Sequence, residues 1–311
     1  MATEWIEINA KGPRNRKDEA SLILIDAGSP GVLEEDESSK VGTLLSYSTW
    51  DKETEEEPET SKTASIKGYL APDKTEMISR IGKDLKKIGW QIATSHFQDQ
   101  DWSVKWKAHI KPIKVKHGNS SIVVKPTWRE VEKKKGDIII EIDPGMAFGT
   151  GGHATTKMCV KAIFALIKDK KVRASKANIL DVGTGTGILA IAAMKLGVSE
   201  AVGTDIDKVA LTVARKNARL NKTEIRLSSS SLDKIKGGYS IVAANILAGE
   251  LKRLSPALYS KITPGGYIIL SGILKTEKDS VKETFTALGL KHSKTYLSGE
   301  WAAIVLQASS K

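Results

Sequence analysis

One cysteine, Cys159, stands in a chain of 311 residues. An internal disulfide framework is therefore excluded, and a reducing, cytoplasmic compartment is the simplest setting. No apolar run approaches the roughly 20 residues of a membrane span, so no membrane contact of that kind is expected. The opening stretch MATEWIEINA has no basic segment followed by an apolar core, so no secretory signal is visible. With 40% hydrophobic and 27% charged residues, the composition is that of a soluble globular protein. The length suits two domains better than one.

Charge is plentiful but uneven. Residues 1–100 carry 13 Lys+Arg against 19 Asp+Glu, a balance of −6, while residues 101–311 carry 35 against 18, a balance of +17. A basic surface is the usual footprint of a nucleic-acid binder. Here the acidic first part can equally face a basic partner, and both parts can simply be solvated. Direct nucleic-acid contact is left open.

Three regions emerge along the chain. Residues 1–98 read as a small α/β unit, ferredoxin-like in outline. It has strand-like runs at 3–9, 31–35, 42–48, 65–70 and 90–97. A short helix fits 18–27, and a second opens near Pro72-Asp73, with Glu76 completing a capping box. Met77, Ile81, Leu85 and Ile88 mark the buried face of that helix. The stretch DKETEEEPET at 51–60 is charged and reads as an exposed loop. Residues 99–128 read as a linker whose Trp102 and Trp106 pack on a neighbouring domain, or offer stacking platforms to bases.

From residue 129 to 311 strand and helix alternate. Strand-like runs fall at 137–142, 178–182, 200–205, 224–227, 240–246, 265–271, 290–297 and 301–307. Helical runs fall at 157–168, 188–196, 207–221, 249–260 and 275–288. This alternation predicts a doubly wound, mostly parallel sheet. The last two strands are joined by only Ser298-Gly299-Glu300, too short for a parallel crossover, so they form an antiparallel hairpin.

Chemistry concentrates where strands end. NILDVGTGTGILAIAA sets Asp181, Gly183, Gly185 and Gly187 at the exit of the first core strand. Glycine lets a ligand approach the backbone, and the helix that follows offers free N–H groups. Gly185-x-Gly187-x-x-Ala190 also satisfies the dinucleotide fingerprint, which is weak alone. Asp205, ending the next strand, can accept both ribose hydroxyls of any nucleoside. Its neighbour Asp207 is the better helix N-cap. Asn245 ends the fourth core strand and is followed by Ile246, Leu247 and Ala248, with no ring to stack on a flipped base. That absence favours an aliphatic amine as acceptor. A fourth segment, DPGMAFGTGGHATT at 143–156, puts four glycines before a helix start.

The Asp-x-Gly-x-Gly-x-Gly spacing resembles the first motif of class I S-adenosylmethionine-dependent methyltransferases. DPGMAFGTGGHATT, LDVGTGTGILAIAAMKLG, GTDID, ANILAGEL and LSGIL, in this order, are similar to the PrmA family, which methylates protein eleven of the large ribosomal subunit. DWSVKWKAHIKPIKV, PTW and GEW also resemble it. The chain departs from the family's usual Thr-His-Pro-Thr-Thr, reading Gly152-His153-Ala154-Thr155-Thr156, and has Ser240 where the family usually has an aspartate nearby.

The resemblance implies a Rossmann-like methyltransferase domain of seven strands at 129–311, S-adenosyl-L-methionine as cofactor, no metal, and lysine side-chain or N-terminal amines of a ribosomal protein as substrate. It implies cofactor contacts at Thr156, Gly183, Asp205 and Asn245, with Asn245 also catalytic, and the glycine-rich strand exit adds Gly185 to the expected cofactor contacts. Residues 1–98 would recognise the substrate, and the protein is expected to act as a monomer. Phe148 either covers the cofactor or packs in a core, and His153 serves as a base or as a loop former. Four alternatives remain at this point. They are a lysine methyltransferase of the electron-transfer-flavoprotein type, a nucleic-acid methyltransferase, a dehydrogenase and a non-catalytic ribosome-binding module.

Overall fold

Along the first strand Ile6, Ile8 and Ala10 are buried while the residues between them are partly exposed, the period of two that a half-covered sheet imposes. The computed structural model describes residues 4–29, 32–35, 62–98, 112–143 and 153–310. They fall into two units, one from the chain up to residue 109 and one from residue 110 onward.

The first unit runs β1 (Glu4–Pro13), α1 (Lys17–Asp26), β2 (Val32–Glu35), β3 (Thr63–Leu70), α2 (Met77–Lys87) and β4 (Gln91–Gln98). Its sheet has the order β2-β3-β1-β4, with every neighbouring pair antiparallel. This is the ferredoxin-like βαββαβ arrangement. Leu24 of α1 and Ile81 and Leu85 of α2 close one core with Ile8, Ile66, Leu70 and Trp90. One local expectation fails. Pro72 opens a separate 3₁₀ turn, Pro72–Lys74, which takes up the residues expected to form the first turn of α2. The helix therefore begins at Met77, and Glu76 makes no side-chain capping bond. The strand expected at 42–48, the charged loop near 51–60, and Trp102, Trp106 and Phe148 lie outside the described residues.

The second unit opens with a three-stranded sheet of order β5-β6-β7, built from β5 (Ile113–His117), β6 (Ser120–Pro126) and β7 (Asp137–Ile142). β5 and β6 form an antiparallel hairpin across Gly118-Asn119, inside the stretch read as a linker. β7 pairs in parallel with β6 and stands outside the large sheet.

The large sheet follows α3 (Ala154–Lys168) and contains β8 (Asn178–Val182), β9 (Glu200–Thr204), β10 (Arg226–Ser228), β11 (Tyr239–Asn245), β12 (Ile262–Leu274), β13 (Lys291–Ser298) and β14 (Trp301–Gln307). Between them run α4 (Ile188–Lys195), α5 (Lys208–Leu220), α6 (Ala248–Tyr259) and α7 (Lys278–Ala287). The order is β10-β9-β8-β11-β12-β14-β13. β14 alone runs antiparallel to both neighbours, as the short connection before it demands.

Both faces of this sheet are buried, which explains the near-continuous apolar strands. Ile179, Ile241 and Ile269 point to a core with Cys159, Ile163 and Phe164 of α3 and Ile188 to Ala193 of α4. Leu180, Val242 and Leu270 point the other way, to Leu251 and Leu258 of α6 and Val281 and Phe285 of α7. The strand order reverses between β8 and β11, and open α/β sheets bind ligands at the carboxyl edge of such a switch point.

Candidate active site

Register alone brings three of the expected residues together. Val182 of β8 pairs with Thr204 of β9 and with Ala244 of β11. The next residue on each strand is Gly183, Asp205 and Asn245, so all three leave the sheet side by side at its carboxyl edge. Asn245 pairs with Ser271 of β12, and the Ser271 hydroxyl donates to the Thr155 carbonyl at 3.3 Å. That bond ties the first turn of α3, and with it Thr156, to the same edge.

The turn after β8 depends on glycine. Gly183, Gly185 and Gly187 take φ of +69°, +52° and +82°, the left-handed region that costs other residues strain. A Cβ at Gly183 would stand 2.6 Å from Ile246 Cγ2. The Gly183 and Thr184 N–H groups both donate to the Thr204 carbonyl, at 2.8 and 2.9 Å, fixing the turn to β9. From the other side Gly272, at φ +80°, lets β12 pass Ile246, whose carbonyl carbon would lie 2.8 Å from a Cβ there. Ile246 is thus wedged between two bare backbones, which sets where Asn245 stands.

Two carboxylates flank the turn in different surroundings. Asp205 accepts from the Gly185 N–H at 2.9 Å with one oxygen and from the Asp207 N–H at 3.0 Å with the other. Each oxygen keeps a lone pair for a hydroxyl donor. Asp207 caps α5 through the Val209 N–H at 2.8 Å, as its position predicts. Asp181 is 1% exposed. Its Oδ2 accepts from the Thr184 hydroxyl at 2.7 Å and the Ala190 N–H at 3.2 Å, while Oδ1 is buried without a partner. Burial pushes the Asp181 carboxyl up to about 6, opposed by the Thr184 and Ala190 hydrogen bonds and reinforced by the charge of Asp205.

Thr156, 1% exposed, receives a long hydrogen bond from Asn245 Nδ2 at 3.4 Å. The Asn245 Oδ1 is a second buried acceptor with no protein partner. His153 caps α3. Its Nδ1 lies 2.7 Å from the Thr155 hydroxyl and accepts from the Thr155 N–H at 3.4 Å. The ring sits edge-on to Trp301, with centroids 5.0 Å apart. His153 is therefore engaged in shaping the helix start. Ala154, where the family usually has proline, occupies the first helical position, a place proline tolerates.

Sequence reading passed over Ile206, Asn217 and Asn221. Ile206 follows Asp205 and is 96% exposed, an apolar side chain open beside the turn. Asn217 is buried on α5 and Asn221 at its C-cap. Their four-residue spacing on an apolar helix face was the available signal. Cys159 is fully buried, its thiol pushed up to about 12 by burial, which removes it as a nucleophile.

S-adenosylmethionine, implied by the motif, fits these groups. It brings an ammonium and a sulfonium, a ribose diol and a flat purine. The site offers two buried oxygen acceptors without protein partners, a carboxylate with spare lone pairs, glycine backbone and an exposed apolar side chain. Among the described residues no cluster of side chains could hold a metal ion.

Comparison with known proteins decides the family. The family model described as ribosomal protein L11 methyltransferase (PrmA) matches residues 4–309. This chain belongs to the PrmA family. It is 37% identical over 316 residues to a ribosomal protein L11 methyltransferase of Alkaliphilus oremlandii, covering 97% of this chain and 98% of that protein. The PrmA relative of Citrifermentans bemidjiense is also 37% identical over 316 residues, covering 98% of each chain. A crystal structure of ribosomal protein L11 methylase from Lactobacillus delbrueckii subsp. bulgaricus superposes with a TM-score of 0.57 at 30% identity, covering 64% of this chain and all of that one.

Proposed function

We propose that this protein transfers methyl groups from S-adenosylmethionine to lysine side-chain and N-terminal amines of ribosomal protein L11, in the cytoplasm. The observation that carries the reading is the shared carboxyl edge of β8, β9 and β11. There a glycine turn, a ribose-ready Asp205 and the unpartnered Asn245 Oδ1 stand side by side. The near full-length likeness to PrmA relatives supports the ribosomal protein over a flavoprotein, a nucleic acid or a nicotinamide cofactor.

When bound, the cofactor supplies a methyl group made electrophilic by its sulfonium. The residues supply alignment and solvation. Thr156 and Asn245 bind its amino-acid end, Gly183 and Gly185 admit it to the backbone, and Asp205 holds the ribose while Ile206 covers the purine. The acceptor must be a neutral amine, and a free lysine is neutral in only about one molecule per few thousand at pH 7. A desolvated pocket next to positive charge raises that fraction. The carboxamide oxygen of Asn245 accepts an amine hydrogen and aims the lone pair. It takes no proton itself, so the proton is released toward solvent.

The proposed cofactor contacts all lie in the second unit. Residues 1–98 recognise the substrate, the acidic part of the chain facing a basic ribosomal protein. The test is incubation with S-adenosylmethionine carrying a labelled methyl, offering ribosomal protein L11 and ribosomal RNA in turn. Label on amines of the protein is expected. Label in RNA, or in neither, would contradict the proposal.

A further inference from the structure

Two buried asparagines, Asn217 on α5 and Asn221 at its C-cap, grip the end of β7 in the same way, one turn apart. Asn221 accepts from the Glu141 N–H at 2.9 Å and donates to the Glu141 carbonyl at 2.6 Å. Asn217 accepts from the Asp143 N–H at 2.8 Å and donates to the Asp143 carbonyl at 3.1 Å. A carboxamide that pairs with both polar groups of one residue acts as a neighbouring strand would. The two asparagines thereby continue the pairing of β7 on the side away from β6. Their spacing of four residues puts them on one face of the helix, and alternate residues of β7 face them.

Asn217 does one thing more. Its Nδ2 also donates to the Thr186 carbonyl at 2.9 Å, inside the glycine turn between Gly185 and Gly187. Asn221 instead spends its remaining hydrogen bond within α5, on the Asn217 carbonyl at 2.8 Å. A single side chain with no exposed surface therefore joins three parts: the exit of β7, the helix behind Asp205, and the turn that admits the cofactor. Elsewhere the Gly183 and Thr184 N–H groups donate to Thr204, the Gly185 N–H donates to Asp205 and the Gly187 N–H donates to the Thr184 carbonyl, while the Thr186 carbonyl is the point that Asn217 reaches. The second half of the turn contains φ-positive Gly185 and Gly187, the least restrained kind of backbone.

We infer that Asn217 is a positioning residue for S-adenosylmethionine binding. It holds the second half of the glycine turn in its binding shape by referring it to the exit of β7. Asn221 is the matched structural clamp without that function. The inference rests on the turn being the cofactor site.

The test compares Asn217→Asp, Asn221→Asp and Asp205→Ala in the full chain, by calorimetric titration with S-adenosylmethionine and by thermal melting. Each aspartate keeps the acceptor for β7 and replaces the donor by oxygen, so both variants lose comparable stability. Asn217→Asp is expected to raise the cofactor Kd about tenfold, the scale of one lost buried hydrogen bond, while Asn221→Asp leaves it within about twofold. Asn217→Ser, which shortens the side chain without adding charge, gives the same ranking should the aspartate fail to fold. Equal affinity in the two asparagine variants, with Asp205→Ala weakened, would overturn the role of Asn217 alone. Unchanged affinity in Asp205→Ala would overturn the assignment of the site beneath it.

Discussion

At the scale of single residues, the site turns on two unpartnered oxygens, and each makes a distinct prediction. Asn245 Oδ1, buried without a protein partner, is the acceptor proposed for the substrate amine. Replacing Asn245 by Ala should lower kcat/KM for methylation by roughly a hundredfold, about 2.7 kcal/mol of transition-state stabilisation, with the melting temperature little changed. Steady-state kinetics showing near-normal turnover would remove Asn245 from the mechanism. Asp181 Oδ1 makes binding depend on pH. With its carboxyl raised to about 6 by burial, the folded protein holds a proton between about pH 4 and pH 6 that the unfolded chain has released. Stability therefore falls as pH rises through that window. A cationic ligand favours the ionised form, so cofactor affinity should rise from pH 5 to pH 7 with release of a proton. Asp181→Asn should flatten both trends. Titrations in buffers of different ionisation enthalpy measure the proton, and a pH-independent affinity in the native protein would sink this account of Asp181.

How much of this was legible depends on what each residue answers to. Gly183, Gly185, Asp205 and Asn245 could be placed from sequence because each lies at or within three residues of the end of a strand whose apolar run is unmistakable, and strand register then carries those strand ends to one edge. Asp207 as a cap was legible for the same local reason. Asn217 and Asn221 were not, because their partners lie 74 and 80 residues away and nothing in a helix sequence shows which backbone a buried carboxamide will meet. The role of His153 was left open between base and loop former. Its bonds to Thr155 place it at the start of α3 as a helix cap.

At the scale of elements, the large sheet was readable from its alternation of strands and helices, and the closing hairpin from the length of its connection. The three-stranded sheet was not. Its hairpin carried a Gly118-Asn119 turn signal and the alternation Ile113-Lys114-Val115-Lys116, but that run is only four residues long and lies in a lysine-rich stretch that reads as a linker. β7 was read as a strand without a partner, because a short apolar run does not announce what it pairs with. The start of α2 was misplaced because a carboxylate after proline suits a 3₁₀ turn as well as a capping box. The glycine turn can be tested as an element. Gly183→Ala puts a non-glycine residue at φ +69° and a methyl against Ile246. It should cost about 1–2 kcal/mol of stability from the backbone alone and weaken cofactor binding as Ile246 and Asn245 shift. Gly118→Ala, at φ +55° with open space for a Cβ, should cost similar stability and leave binding intact. Matched melting and binding curves decide between a local effect of the turn and general destabilisation.

At the scale of the whole molecule, two units with opposite charge balance share one chain, and only the second contains the proposed cofactor contacts. Removing residues 1–98 should leave cofactor affinity close to that of the full chain and abolish methylation of ribosomal protein L11. Binding of S-adenosylmethionine serves as the control that the remaining unit is folded. Undiminished methylation by the shortened chain would refute the assignment of substrate recognition to the first unit. The acidity of the first hundred residues was plain in the sequence, and so was the ferredoxin-like outline, although its short, weakly patterned strands left the strand order to be fixed by their pairing.

The central claim is that the carboxyl edge between β8 and β11 holds a sulfonium nucleoside. Isothermal titration of the full-length protein with S-adenosylmethionine, and separately with its demethylated product S-adenosylhomocysteine, tests it most directly. The account predicts saturable heat from one site per chain for both compounds, weakened by Asp205→Ala. A folded protein that gave no heat of association with either would contradict it.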